Sequence, residues 1–72
     1  MKVTYQLIDD TGNRLRKVFG GVVHISRVSW FTPDGDYRSP WTVWSDVDMT
    51  HYKFDSFPEL LKWVERLERV SQ

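Results

Sequence analysis

An amphipathic helix near the C terminus constrains this chain more than any other feature. Phe57, Leu60, Leu61, Val64 and Leu67 recur at helical spacing and form one apolar stripe within residues 57–70. Ser56 and Glu59 stand at the S-x-x-E spacing of a capping box, and Pro58 lies in the first turn, where its missing N–H is no loss. One such helix cannot bury its stripe alone, so a sheet must receive it. Everything ahead of Ser56 reads as strand and turn.

Alternation predicts the strands. Residues 2–8 place Val3, Tyr5 and Leu7 on one side and Thr4, Gln6 and Ile8 on the other. Asp9-Asp10-Thr11-Gly12-Asn13 has the composition of a turn, and a second strand is expected over 14–19. Gly20-Gly21 then reads as a hairpin turn or bulge. A third strand over 22–31 changes parity between Val23/Ile25 and Val28/Trp30, which predicts a bulge or sharp twist near Ser26-Arg27. Pro33-Asp34-Gly35 is a turn signal with a mechanism: Pro presets φ and Gly takes the left-handed position. Strands over 41–46 and 49–54 complete the series. The expected fold is α+β, a single domain over 1–72 with a four- to five-stranded antiparallel meander. The helix at 57–70 packs on one face. An SH3-like, partly open barrel plus helix is the runner-up.

Size and charge bound the function. A 72-residue chain without cysteine has no disulfide or thiolate metal site, so large rings must supply much of its core. Aromatic residues make up 15% of the chain, four of them Trp. The net charge is zero, which argues against a broadly basic nucleic-acid binder. The distribution is uneven. Residues 1–33 hold five bases against two acids, and residues 34–72 hold five against eight, so the two halves attract. No apolar run reaches membrane-spanning length and the N terminus lacks a signal-peptide core, so a cytoplasmic protein without a membrane partner is expected.

No catalytic constellation emerges. Asp46, Asp48 and His51 match no metal-ligand spacing, and the serines sit in no nucleophile elbow, so neither enzyme activity, metal nor cofactor is expected. The aromatic stretch is more informative. Trp30, Phe31, Tyr37, Trp41 and Trp44 crowd around one Pro-rich loop, with Trp41 and Val43 on one strand face and Trp44 on the other. One helix cannot cover both faces, so some rings are left for a partner. The expected contact residues are Trp30, Tyr37, Arg38, Trp41 and Trp44, with Arg14, Arg16 and Lys17 adding charge. A protein is the first-choice partner. Single-stranded nucleic acid is the second, and self-association into a homodimer the third.

The junction Phe54-Asp55-Ser56, followed by Glu59-Leu60 and Trp63, resembles that of small phage-encoded anti-CRISPR proteins that inhibit type I surveillance complexes. The likeness covers some ten residues. It implies a phage or prophage accessory protein that blocks a host complex by binding it, without chemistry. It carries no functional residue across.

Overall fold

A computed structural model describes residues 2–71; Met1 and Gln72, the ends of the expected domain, lie outside the described residues. The elements run α1 (Tyr5–Phe19), β1 (Val23–Arg27), β2 (Trp30–Phe31), β3 (Tyr37–Arg38), β4 (Trp41–Ser45), β5 (Thr50–Phe54) and α2 (Phe57–Val70). The fold is α+β. β1, β4 and β5 form a three-stranded antiparallel sheet in that order, and β2 and β3 form a two-stranded antiparallel ribbon.

The first third of the chain corrects the sequence reading. The strands expected over 2–8 and 14–19 are one helix, α1, so the meander has no strands ahead of β1. Thr4 caps it, its hydroxyl accepting from the Leu7 N–H at 3.1 Å. Gly20 ends it in the left-handed conformation (φ 76°), its N–H reaching the Arg16 carbonyl at 2.8 Å. Arg16 and Lys17 occupy the last turn, where cations suit the helix dipole. The supposed turn Asp9–Asn13 lies in mid-helix. Thr11 and Gly12 are buried at the centre of the inward face, between half-buried Leu7 and Ile8 and buried Leu15. The Thr11 hydroxyl donates to the Leu7 carbonyl at 2.7 Å, which satisfies it without an outside partner.

Gly20-Gly21 is therefore a helix exit and not a hairpin. A Cβ on Gly21 would stand 2.5 Å from Val47 Cγ2 and 2.8 Å from Asp46 Oδ1. That close approach lets Asp46 hold the chain just past the joint, through both backbone groups of Val22. Its carboxylate accepts from the Val22 N–H at 2.9 Å, and its own N–H donates to the Val22 carbonyl at 3.1 Å.

The strand expected over 22–31 breaks in two, yet contains no bulge. Arg27 pairs with Trp41 and Trp30 with Arg38, so two residues on each side separate the ladders. The register is unchanged across the gap. Pro40 lies opposite Val28 in that register and has no N–H to donate, which interrupts the ladder there. Ser29 and Ser39 instead meet through their hydroxyls at 2.9 Å, and Arg27 Nε donates to the Ser39 carbonyl at 3.3 Å. Beyond the break, β2 and β3 continue the hairpin as an arm on a molecule measuring 43 × 28 × 20 Å. Its tip closes as expected, with Gly35 at φ 91°. The Gly35 N–H donates to the Thr32 carbonyl, and the Thr32 N–H to the Asp36 carbonyl.

The C-terminal expectation holds. α2 spans Phe57–Val70, and Ser56 Oγ accepts from the Glu59 N–H at 3.4 Å. The core comprises Leu15, Val23, Trp41, Val43, Phe57, Leu60 and Val64. Both helices cover the same side of the sheet, with Trp41 edge-on to Phe57 at 5.0 Å and Trp63 beside Phe19, Tyr52 and Phe54. The sheet is open, so the barrel alternative does not apply. The charge asymmetry of the two halves is realised where the helices meet. Arg14 clasps Glu68 through Nε–Oε2 at 3.0 Å and Nη2–Oε1 at 2.6 Å. This hydrogen bonding raises the Arg14 pKa and holds the Glu68 carboxyl below its ordinary value.

Candidate binding surface

The side chains of the sheet divide by register. Val23, Ile25, Trp41, Val43, Ser45, Tyr52 and Phe54 face the helices. His24, Ser26, Thr42, Trp44, His51 and Lys53 form the opposite face, which no helix covers. In sequence these six residues are spread over 30 positions. The ladders place them in two rows, His24–Trp44–His51 and Ser26–Thr42–Lys53. Within the first row the His24 ring stacks on Trp44 at 5.6 Å and 26°, and His51 lies tilted against its other side at 6.4 Å.

Toward the arm, this face opens into a groove of about 430 Å³ lined by Trp30, Tyr37, Arg38, Ser39, Pro40, Lys53 and Asp55. Lys53 Nζ lies 5.9 Å from the Trp30 ring, within cation–π range. Beyond it the arm carries apolar surface with no core beneath. Phe31 is 71% exposed and Tyr37 60%, their rings 5.4 Å apart. Val28 and Trp30 are exposed as well. Hydrogen bonding with Ser29 and Ser39, aided by the Arg27 charge, pulls the Tyr37 phenol below its ordinary pKa.

Of the residues expected at a contact surface, Trp30, Tyr37 and Arg38 come together around the groove. Trp44 shares the open face and is half-buried. Trp41 does not belong with them. It is 9% exposed, packed on Phe57 from one side and under the Arg27 guanidinium, 5.3 Å away, from another. Alternation separated the faces of Trp41 and Trp44 correctly, but it could not say which one the helices take. Arg14, Arg16 and Lys17 sit on α1, and none of them lines the Trp30 groove; Arg16 borders a depression with His24 and Ile25 instead. Arg14 is committed to Glu68, and Arg16 donates to the Asn13 amide oxygen at 2.8 Å. They supply no charge to the Trp30 groove.

His24, His51, Lys53 and Phe31 belong to the surface but are not among the contact residues expected from sequence. Only the strand register joins the first three, whereas Phe31 was visible in the aromatic stretch around the Pro33-Asp34-Gly35 turn. The acids near the open face have local work. Asp46 holds Val22, and Asp48 accepts from the Thr50 N–H at 3.2 Å and from the Tyr52 hydroxyl, which raises the Tyr52 pKa. Among the described residues, no three His, Asp or Glu side chains gather as a metal-ligand set, and no helix is long and apolar enough to cross a membrane. No family model, curated protein or solved structure matches this chain.

Proposed function

We propose that the chain is a non-enzymatic protein-binding module that docks through its hairpin arm. Its finer role is that of a phage- or mobile-element-encoded inhibitor occupying a site on a host complex. The observation that carries the reading is the Phe31–Tyr37 pair, two rings held together in water on a ribbon that has no core of its own. A bare two-stranded ribbon is marginal in water. Rings placed there contribute little to folding and are available to a partner. Arg38 stands beside them, and Tyr, Trp and Arg are the residues that dominate binding hot spots.

The test is affinity capture from bacterial lysate at about 150 mM salt, comparing the wild type with a Phe31→Ser/Tyr37→Ser double variant. Both positions are exposed, so the variant is expected to keep the wild-type circular dichroism spectrum. The wild type is expected to retain a defined protein, and the variant to lose it, since two hot-spot truncations weaken binding by about a hundredfold or more. Equal retention by both chains, or no retained protein with the wild type, contradicts the proposal.

A further inference from the structure

The outer edge of β1 and β2 has no strand beside it. β1 pairs with β4 alone and β2 with β3 alone, and the register is continuous between them, so one unpaired edge runs over 23–31. The two ends of the hairpin fix which backbone groups this edge presents. The Asp46 N–H bonds to the Val22 carbonyl and the Thr32 N–H to the Asp36 carbonyl, so even-numbered residues of the strand bond inward. Ile25, Arg27, Ser29 and Phe31 therefore aim their N–H and C=O groups outward. Natural edges are commonly guarded by Lys, Pro or a charge. β5, the other open edge of the main sheet, carries Lys53, whereas 23–31 has no Lys, Pro, Gly or acid. Beside the unguarded edge, a depression of about 150 Å³ lies between α1 and β1, with Ile8, Gly12, Val23 and Ile25 among its walls. Gly12 makes the room. Glycine is the poorest residue inside a helix after proline, and packing does not demand it here. A Cβ at Gly12 would meet only Ile25 Cδ1, at an ordinary 3.9 Å. We propose that this edge pairs with the same edge of a second copy, antiparallel about a two-fold axis at Val28. Phe31 of each copy then seats beside Ile25 and Gly12 of the other.

The edge is complementary to itself in that register. Ile25 falls opposite the second copy's Phe31, and Arg27 opposite its Ser29. All four present their backbone groups outward, so about eight main-chain hydrogen bonds close without a gap. Val28, 51% exposed, meets its own counterpart across the axis at the closer, non-hydrogen-bonded spacing. Odd-numbered residues of the strand share the helix side of the sheet. Exposed Phe31 therefore arrives next to half-buried Ile25, on the side where the depression opens. The paired segment stops short of Val23, which is already sealed at 1% exposure. A two-stranded ribbon is marginal in water, and pairing makes both arms part of one continuous sheet. Any extended peptide could bond to the edge, but this chain's own edge also brings the apolar knob and the hole to matching positions, which selects a second copy. Self-pairing covers Phe31 in the free protein, and a foreign partner of the arm would displace it. The proposal does not depend on that partner.

The experiment is sedimentation of the purified full chain between about 5 and 500 μM. The mass is expected to rise from 8.6 kDa toward twice that value. The midpoint is expected on the order of 50 μM, as suits a small interface. Val28→Lys and Val28→Glu each set like charges across the axis and are expected to weaken pairing about tenfold or more. The position is exposed, so both variants should fold. An equimolar mixture of the two should pair at least as well as the wild type, because opposite charges then meet. Gly12→Leu fills the depression with a good helix former and should weaken pairing about tenfold while the circular dichroism spectrum is kept. The proposal is overturned if the wild type stays at 8.6 kDa at the highest concentration, or if its mass grows past the dimer. It is also overturned if either charged variant pairs like the wild type, if their mixture stays monomeric, or if Gly12→Leu folds and associates unchanged. Only the purified chain is present, so this result is read separately from capture of a foreign protein by the arm.

Discussion

Replacing Phe57 by alanine is expected to lower the melting temperature by about 20 °C. Phe57 is the first residue of α2 and is 2% exposed, with its ring against the edge of Trp41. It therefore joins the helix to the middle strand of the sheet at the point where the chain leaves β5. Truncating a buried Phe costs about 3–5 kcal/mol, the lost transfer energy plus the cavity left behind. A domain of 72 residues has only roughly 4–11 kcal/mol in total. The substitution thus removes about a quarter or more of the stability, and thermal unfolding followed at 222 nm reads it directly. A fall below about 5 °C would place Phe57 outside the core.

Leu15→Ala is the second large effect, expected at about 2–5 kcal/mol. Leu15 is fully buried and is the one large aliphatic side chain that α1 places wholly inside the core. Its neighbour in the apolar count, Val18, is half-buried. The difference in burial predicts that Val18→Ala costs less than about 1 kcal/mol, a fraction of the cost at Leu15. Urea titrations of the two variants measure both. Equal costs would contradict the full burial of Leu15 beside a half-buried Val18.

α1 was hidden from the sequence for a physical reason. The centre of its inward face is Thr11 and Gly12, a polar residue and one without a side chain, so the apolar period has a gap where it should be strongest. Asp9-Asp10 and Asn13 around that gap complete the appearance of a turn. The signals that did exist were the Thr4 cap, the basic last turn and the left-handed Gly20. Val3, Tyr5 and Leu7 alternate closely enough to outweigh them. α2 was legible because its cap, its proline and its stripe agree with one another.

The strands show a similar division. β4 and β5 were readable from Trp41-Thr42-Val43-Trp44 and from the residues ahead of Asp55, whereas the break after Arg27 depends on Pro40, which is distant in sequence and close only through pairing. For the same reason the Trp30–Tyr37–Arg38 cluster around one turn was visible, and the His24–Trp44–His51 row was not.

Both proposed surfaces depend on the two helices lying on one side of the sheet, which seals Trp41 and leaves Trp30 in water. Relaxation of the indole N–H signals by a soluble paramagnetic agent tests this residue by residue. The signal of Trp30, 41% exposed, is expected to relax fastest, and that of Trp41, 9% exposed, slowest. Four equally protected indoles, or a Trp41 as accessible as Trp30, would contradict the account.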